Sequence, residues 1–180
     1  MNTTSLILGE ATRPPTSLEL TDPQCAYFYA HDVIEGRFPE GEATLATSPH
    51  WAYHYARDII DGPWPEAEPV FAKDPQFSFR YAKNVIEGRF PQGESAIATN
   101  PHWAYHYAKN IKGRWPEVEA VIATNPQHAY NYAMDVIKGP FPEGEETIAK
   151  DLHLAKKYLE AFPDAKIEWY AREWIDWTKL

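Results

Sequence analysis

Several features that mark enzymes, membrane proteins and nucleic-acid-binding proteins are scarce in this sequence. Cys25 is the only cysteine, so neither an intramolecular disulfide nor a cysteine zinc site can form. The 17 basic residues are outnumbered by 26 acidic ones, and the net charge of −9 disfavours attraction to nucleic-acid phosphates or anionic lipid. The longest early apolar run, residues 6–8, is far shorter than a signal-peptide core or a membrane-spanning helix. We therefore expect a soluble, cytoplasmic protein with no membrane association and no direct nucleic-acid binding.

The sequence does contain enough apolar residues for a packed core, and it repeats. Hydrophobic residues make up 44% of the 180 positions and aromatic residues 14%. Five copies of one unit of about 26 residues follow each other without a gap, and the fourth copy is one residue shorter. The copies span residues 23–48, 49–74, 75–100, 101–125 and 126–151. Such a period is typical of repeat proteins in which each unit is one supersecondary element.

Each copy has the pattern of two short helices. In the first copy, Asp22 precedes a proline, as an N-cap residue does before a first helical turn. Ala26 and Tyr29 then begin an apolar stripe at helical spacing that continues to Val33. Gly36 is placed where a left-handed residue ends a helix, and Pro39 opens a second helix. The equivalent caps are Ser48, Asp74, Asn100 and Asn125, and the equivalent glycines are Gly62, Gly88, Gly113 and Gly139.

The predicted fold class is an all-α, αα-hairpin repeat solenoid with a C-terminal capping helix. One hairpin of this size cannot bury its apolar face alone, whereas stacked copies share a continuous core. Residues 1–22 are interpreted as an N-terminal arm or cap, in which Leu18 and Leu20 cover the first repeat. Residues 152–180 are interpreted as a helical cap. Its inward stripe is expected at Ile167, Tyr170, Ala171 and Trp174, and the whole chain is expected to form one structural domain.

Two residue types recur in every copy and are interpreted as structural. They are the tyrosines Tyr29, Tyr55, Tyr81, Tyr107 and Tyr132 and the glutamates Glu42, Glu68, Glu94, Glu119 and Glu145. The glutamates lie in the first turn of the second helix, where a carboxylate can accept from free amides or complement the positive helix end. They can also accept from the hydroxyls of buried tyrosines and pair with Arg37, Arg89 and Arg114. In the alternative interpretation, the carboxylate row imitates nucleic-acid phosphates and occupies a basic groove.

Residues that vary between copies concentrate on one face of the first helix. They occupy its second, sixth, ninth and thirteenth positions, spaced so that they share an exposed face. Repeat proteins commonly bind partners through variable residues on a constant frame, although such a face can equally be only solvated. The candidate partner-binding residues are His50, His54, Arg57, Arg80, Lys83, His102, His106, Lys109 and Asn131.

Metal binding and catalysis are disfavoured by the same pattern. The pairs His50/His54 and His102/His106 place imidazoles one helical turn apart, which suits a transition metal, but no third and fourth ligands can be named. Asp58 and Asn110 lie one turn further along, and their counterparts recur in copies without histidines, which suggests a structural role. No phosphate-binding glycine loop or nucleophile motif occurs, and an enzyme needs one asymmetric pocket rather than five equal copies. We expect no enzyme activity, no cofactor and no metal.

The strings YAHDVIEGRFPEGE (29–42), YARDIIDGPWPEAE (55–68) and YAKNIKGRWPEVE (107–119) resemble short tandem repeats of tailed-phage proteins without assigned activity. The resemblance covers residues 23–151. It implies a phage or prophage origin and a helical-repeat fold, and it carries no catalytic residues.

The sequence thus favours a non-enzymatic, helical-repeat module that binds a protein, as a phage-encoded inhibitor or adaptor acting on a host defence protein would. The alternatives are a nucleic-acid mimic and a binder of small ligands or metal. Homo-oligomerisation also stays open.

Overall fold

The computed structural model describes residues 13–167. The chain divides into two compact units, Met1–Ala67 (unit 1) and Glu68–Leu180 (unit 2), and each is described by itself. Every regular element in the described residues is helical, and no strand occurs among them. The predicted all-α class with repeated αα-hairpins, as in an α-solenoid, is therefore confirmed. The expectation of a single structural domain stays a prediction.

The described helices fall at the predicted repeat spacing. Unit 1 contains α1 (Ser17–Thr21), α2 (Pro23–Tyr29), α3 (Pro39–Leu45) and α4 (Pro49–Tyr55). Unit 2 contains α5 (Glu68–Phe71), α6 (Pro75–Tyr81), α7 (Pro91–Ile97), α8 (Pro101–Tyr107), α9 (Glu119–Ile122), α10 (Pro126–Tyr132), α11 (Pro142–Ile148) and α12 (Leu152–Ala161). The helices that begin a copy, here called first helices, are α2, α4, α6, α8 and α10.

The first helices begin as the sequence predicts, with one exception. The side chains of Asp22, Asp74, Asn100 and Asn125 each accept a hydrogen bond from a backbone amide of the first turn. Ser48 occupies the same position, but its side chain makes no capping hydrogen bond. Ser48 is thus the N-cap residue by position, as predicted, but without the side-chain hydrogen bond, and the proline that follows fixes the helical φ of the first residue.

Every first helix ends in a π-helical turn, which the sequence pattern did not indicate. These turns are Ala30–Ile34, Ala56–Ile60, Ala82–Ile86, Ala108–Lys112 and Ala133–Ile137. The wider turn places the left-handed residue one position before the predicted glycine in four copies. The residues with positive φ there are Glu35, Asp61, Glu87 and Lys138. The assignment of left-handed φ to Gly36, Gly62, Gly88 and Gly139 is therefore wrong, because the helix closes one residue earlier.

The one-residue deletion in the fourth copy falls at this helix end. The π-helical turn there still has five residues, so the residue missing from the copy is the one that carries positive φ elsewhere. Gly113 takes its place with φ of 80°, and its amide donates to the carbonyl oxygen of Ala108 at 2.8 Å. A glycine adopts this conformation without the steric cost that a side chain adds. The deletion is thus absorbed by placing the glycine at the positive-φ position, with a ψ of −155° that differs from the left-handed helical conformation of the other copies.

The second helices begin in two ways, according to the residue two positions after their proline. Where that residue is glycine, an α-helix begins at the proline, as at Pro39, and a Cβ on Gly41 would lie 2.3 Å from the Phe38 ring. Where it is Ala67 or Val118, a 3₁₀ turn comes first and the α-helix starts at the glutamate that follows. A residue with a Cβ at this position thus occurs together with the tighter 3₁₀ first turn, and glycine occurs with the α-helical one.

The N-terminal end of the described chain packs differently from the prediction, whereas the C-terminal end agrees with it at Ile167. Leu18 and Leu20 are exposed, so the prediction that they cover the first repeat is wrong. The Tyr29 hydroxyl instead donates to the carbonyl oxygen of Arg13. Ile167 is buried, as predicted. The expected inward positions Tyr170, Ala171 and Trp174 lie outside the described residues.

Candidate interaction surfaces

The recurrent tyrosines and glutamates bind each other across neighbouring copies. Apart from Tyr29, each recurrent tyrosine donates its hydroxyl proton to the glutamate of the copy before it, and Tyr158, which follows the last copy, does the same. The pairs and their oxygen–oxygen distances are Tyr55–Glu42 (2.9 Å), Tyr81–Glu68 (3.3 Å), Tyr107–Glu94 (3.0 Å), Tyr132–Glu119 (3.2 Å) and Tyr158–Glu145 (3.3 Å). In four copies the same hydroxyl also accepts from a buried backbone amide, of Phe38, Phe90, Trp115 or Phe141. The tyrosine therefore connects two stacked hairpins.

The same glutamates form the predicted pairs with arginine. Arg37, Arg89 and Arg114 each reach the glutamate five residues later with two nitrogens, at 2.8 to 3.3 Å. Burial alone would raise the pKa of Glu94, but hydrogen bonds from Lys112, Arg89 and Tyr107 outweigh it and lower that pKa. The recurrent carboxylates are thus held in structural contacts. They were expected to accept from free backbone amides, but in the structure the tyrosine hydroxyl accepts from the buried amide instead.

The variable residues of unit 1 surround aromatic side chains. We call His50, His54 and Arg57 the first-helix face of unit 1. The His50 and His54 rings are 4.8 Å apart, and His54 also contacts Trp51 and Tyr27. Arg57 pairs with Asp58 at 2.5 Å, and Asp58 accepts from the Tyr27 hydroxyl at 3.1 Å. The positive charge on this face is therefore largely compensated, and the structural role expected for Asp58 is confirmed.

The variable residues of unit 2 form a more cationic surface. The first-helix face of unit 2 consists of Arg80, Lys83, His102, His106, Lys109 and Asn131. Arg80 lies over the Phe77 ring and Lys83 over the Phe79 ring, at 5.8 and 5.7 Å from the ring centres. Among residues 68–167 no carboxylate lies within ion-pair distance of either cation. Asn131, by contrast, accepts from the Gln127 side chain at 2.9 Å.

Three histidines of unit 2 meet at the centre of this face. The His102 ring lies 4.4 Å from His106 and 5.2 Å from His128, between ring centres. His128 also stacks on Tyr105, and its Nδ1 is buried with no hydrogen-bond partner in the described structure. Burial lowers the pKa of both His106 and His128, and the neighbouring His102 lowers each further. Lys83 and Lys109 lie over the Phe79 and Tyr105 rings, whose centres are 6.0 and 4.9 Å from that of His106, and both charges lower the pKa of His106 further.

Lys109 lies at one edge of the face and makes a contact that the repeat pattern did not predict. Its ammonium lies 2.9 Å from Asp135 and 3.2 Å from the Tyr105 hydroxyl, and that hydroxyl donates to Asp135. A signal for such tyrosine–aspartate pairs exists in the repeat. Phe79 lacks the hydroxyl that a tyrosine at this position would donate. The next copy has Asn110 at the position where other copies have the accepting Asp58 and Asp135, so both members of the pair are replaced here. Asn110 instead donates to the backbone oxygen of His106 at 2.7 Å, which confirms its structural role.

His128 was also missed, because it occupies a position outside the four variable ones. The other copies carry cysteine or an aromatic residue there, and histidine in this place was the available signal. Within residues 13–167 no group of three His, Cys, Asp or Glu side chains has a geometry that could hold a metal ion. The three histidines therefore form a cluster of neighbouring rings without the geometry of a metal site.

Open clefts occur at equivalent places in the two units. Both lie beside the left-handed turn that ends a first helix and have volumes of about 220 and 250 Å³. One is lined by His31, Glu35, Gly36, Asp58 and Ile59, and the other by Lys83, Glu87, Gly88, Asn110 and Ile111. These ten residues are equivalent by pairs in the repeat, so the clefts are a product of hairpin stacking.

Comparison with known proteins does not assign this chain to a family. No family model, no curated protein and no solved structure matches this chain. None of the helices within residues 13–167 combines the length and apolar character needed to cross a bilayer.

Proposed function

We propose that this chain is a non-enzymatic, cytoplasmic protein-binding module, and that its partner binds the first-helix faces. The observation that carries the proposal is that recurrent and variable side chains of the repeat make different kinds of contact. The side chains that recur in every copy bind each other, whereas the variable side chains of unit 2 leave Arg80 and Lys83 without a carboxylate partner among the described residues. A surface on which an exposed lysine and a partly exposed arginine lie over aromatic rings is chemically suited to a protein interface, where arginine and aromatic residues are enriched.

The nucleic-acid mimic is the weaker candidate, because its carboxylate row is not free. The side chains of Glu42, Glu94 and Glu119 are only 17, 14 and 6% exposed and are occupied by tyrosine and basic partners. A phosphate mimic needs carboxylates that a basic groove can reach. The clefts of about 220 and 250 Å³ repeat with the hairpins, which favours a product of stacking over a catalytic pocket at those two places.

The resemblance to phage repeats supplies the biological setting of the proposal. In that setting the module is a phage-encoded inhibitor or adaptor, and the partner is a protein of the bacterial host, such as a defence protein. Binding without chemistry is sufficient for an inhibitor, since occupation of a surface blocks access to it.

The test is site-specific crosslinking followed by a binding measurement. A photoreactive amino acid is placed at Lys83 or Lys109, and in a control chain at Lys150, which is exposed and lies outside the first-helix face. Host lysate is irradiated, and the protein crosslinked from the face positions alone is identified and purified. Calorimetry then measures its binding to the double variant Lys83→Glu with Lys109→Glu and to Lys150→Glu.

We expect the double variant to lose most of the affinity and Lys150→Glu to keep it. Equal binding by the two variants would remove the first-helix face of unit 2 from the interface. Turnover of any substrate by the purified chain would contradict the non-enzymatic assignment.

A further inference from the structure

Several basic groups of unit 2 lie close to each other in an otherwise acidic chain. Lys83, His106, Lys109 and His128 come from three successive copies, and His102 lies between the two other histidines. The whole chain has a net charge of −9, so a local excess of cations is not a consequence of composition. Groups of like charge held this close repel each other, and a bound anion relieves that repulsion.

We propose that the first-helix face of unit 2, with His128, is an anion-binding surface that takes the carboxylates of an acidic segment of a protein partner, more tightly as the pH falls. This inference rests on the proposed function and names the chemistry of its partner. Protonation of His106 and His128 adds positive charge to the surface, and an anion bound there favours the protonated rings in return.

The charged and titratable groups around His106 are set by four elements. His102 lies on α8, Lys109 on the turn that follows it, His128 on α10 and Lys83 on the turn after α6. Asp135 approaches through its pair with Lys109, and Tyr105 packs against the rings of His106 and His128. Glu87 lines the cleft beside Lys83. Two carboxylates therefore lie beside five basic groups, and Asp135 is the one that forms an ion pair among the described residues.

A protein segment fits this surface better than a nucleic acid does. Lys83 and Lys109 lie over the Phe79 and Tyr105 rings, which stay buried and hold the two charges in place at the surface. The carboxylates of Glu87 and Asp135 border it, and a continuous row of phosphates would meet them, whereas single carboxylates spaced along a peptide can avoid them.

The experiment measures binding of a labelled acidic peptide to the full chain by fluorescence polarisation. The probe has about 12 residues of alternating glutamate and serine, which stays ionised at both a pH of about 7.5 and one of about 5.5. The matched control peptide has glutamine in place of glutamate, and a DNA duplex is the competitor. The protein variants are Lys83→Gln, Lys109→Gln and His106→Gln, with Lys150→Gln as a control that removes an exposed charge elsewhere.

We expect binding of the glutamate peptide alone, strengthened about threefold or more at the lower pH. Lys83→Gln and Lys109→Gln should each weaken it by roughly twofold to fivefold, as removal of a single surface charge does, and Lys150→Gln should not. His106→Gln should keep the binding at the higher pH and reduce the gain at the lower one. Equal effects of Lys83→Gln and Lys150→Gln would overturn the inference, and so would displacement by DNA at lower concentration than by unlabelled peptide.

The outcomes also separate this inference from the proposed function. If a partner crosslinks at Lys83 but the acidic peptide does not bind, the face is an interface of other chemistry and only the anion proposal fails. If the peptide binds but the captured partner tolerates Lys83→Glu and Lys109→Glu, the surface binds anions and the proposed function fails.

Discussion

Replacing Tyr107 with phenylalanine tests whether the tyrosine hydroxyls connect the stacked hairpins. This hydroxyl accepts from the Phe90 amide at 2.9 Å and donates to Glu94 at 3.0 Å. Tyr107 is fully buried, and burial raises its pKa to about 12, so the hydroxyl stays neutral at ordinary pH. Tyr107→Phe removes one oxygen from the junction between α7 and α8 and leaves the ring in place.

The expected loss can be worked from the two contacts. A buried amide left without an acceptor costs about 1–3 kcal/mol, and a hydrogen bond to a charged group contributes about 1.5–3 kcal/mol. Glu94 keeps its contacts with Arg89 and Lys112, which reduces the second contribution. We therefore expect Tyr107→Phe to lower the free energy of unfolding by about 3 kcal/mol, a large part of the about 5–15 kcal/mol of a typical domain.

Urea denaturation followed by circular dichroism measures this loss, and Tyr130→Phe is the matched control. Tyr130 is half-buried in α10, and its hydroxyl has no hydrogen bond within the described structure. The equivalent residue of the third copy is Phe79, so the repeat accepts phenylalanine there. The control should stay within about 0.5 kcal/mol of the parent. A loss below about 1 kcal/mol for Tyr107→Phe, with an unchanged denaturant slope, would refute the connecting role.

Three further predictions concern the helix ends and the histidine cluster of unit 2. Gly113→Ala should destabilise the chain by about 1–3 kcal/mol in urea titrations, because a side chain is strained at φ of 80°, whereas Gly62→Ala, where a Cβ meets nothing within 4 Å, should be nearly neutral. Gly93→Ala should cost about 1–3 kcal/mol in the same assay, because its Cβ would lie 2.5 Å from both a phenylalanine ring and a buried hydroxyl; an unchanged midpoint would contradict this packing. The lowered pKa values of His106 and His128 mean that the folded chain binds fewer protons than the unfolded chain, so stability should be greatest above a pH of about 6.5 and fall below it. His128→Phe should make that fall shallower in urea midpoints measured across pH, and parallel curves for the two proteins would exclude the cluster as its source.

The repeat and its core could be predicted from the sequence because they are written several times. Tyr55, Tyr81 and Tyr107 appear at one spacing with apolar residues around them, and all three are buried. Their hydrogen bonds to glutamates were also predictable, because a buried hydroxyl needs a partner and a recurring carboxylate was the available one. The positions that vary between copies were expected to share one exposed face, and this follows from helical geometry alone.

The helix ends could not be predicted, because they depend on backbone geometry that the residue types do not fix. A π-helical turn and an α-helical turn of the same residues differ by one position in where the chain turns, and glycine suits either. The left-handed residue was therefore assigned to Gly36, while the structure has it at Glu35. The histidine cluster was missed for a different reason. His128 meets His102 only after two copies have stacked, and no pattern within one copy shows this contact.

One repeat position controls the charge of both first-helix faces. In the second copy Asp58 follows Arg57 directly and pairs with it, so the guanidinium is compensated within its own helix. In the third and fourth copies the equivalent position is asparagine, and Lys83 is left without a carboxylate among the described residues, while Lys109 finds one only in Asp135 of the next copy. The tyrosine–glutamate contacts between copies are found with either residue, whereas the hydrogen bonds of Tyr27 and Tyr105 to the neighbouring copy are accepted by the aspartate. The glutamates that join the hairpins and the residues that vary on the face are therefore different sets, and Asp58 and Asp135 are the positions that belong to both, because each accepts from a tyrosine of the copy before and neutralises a cation of the face.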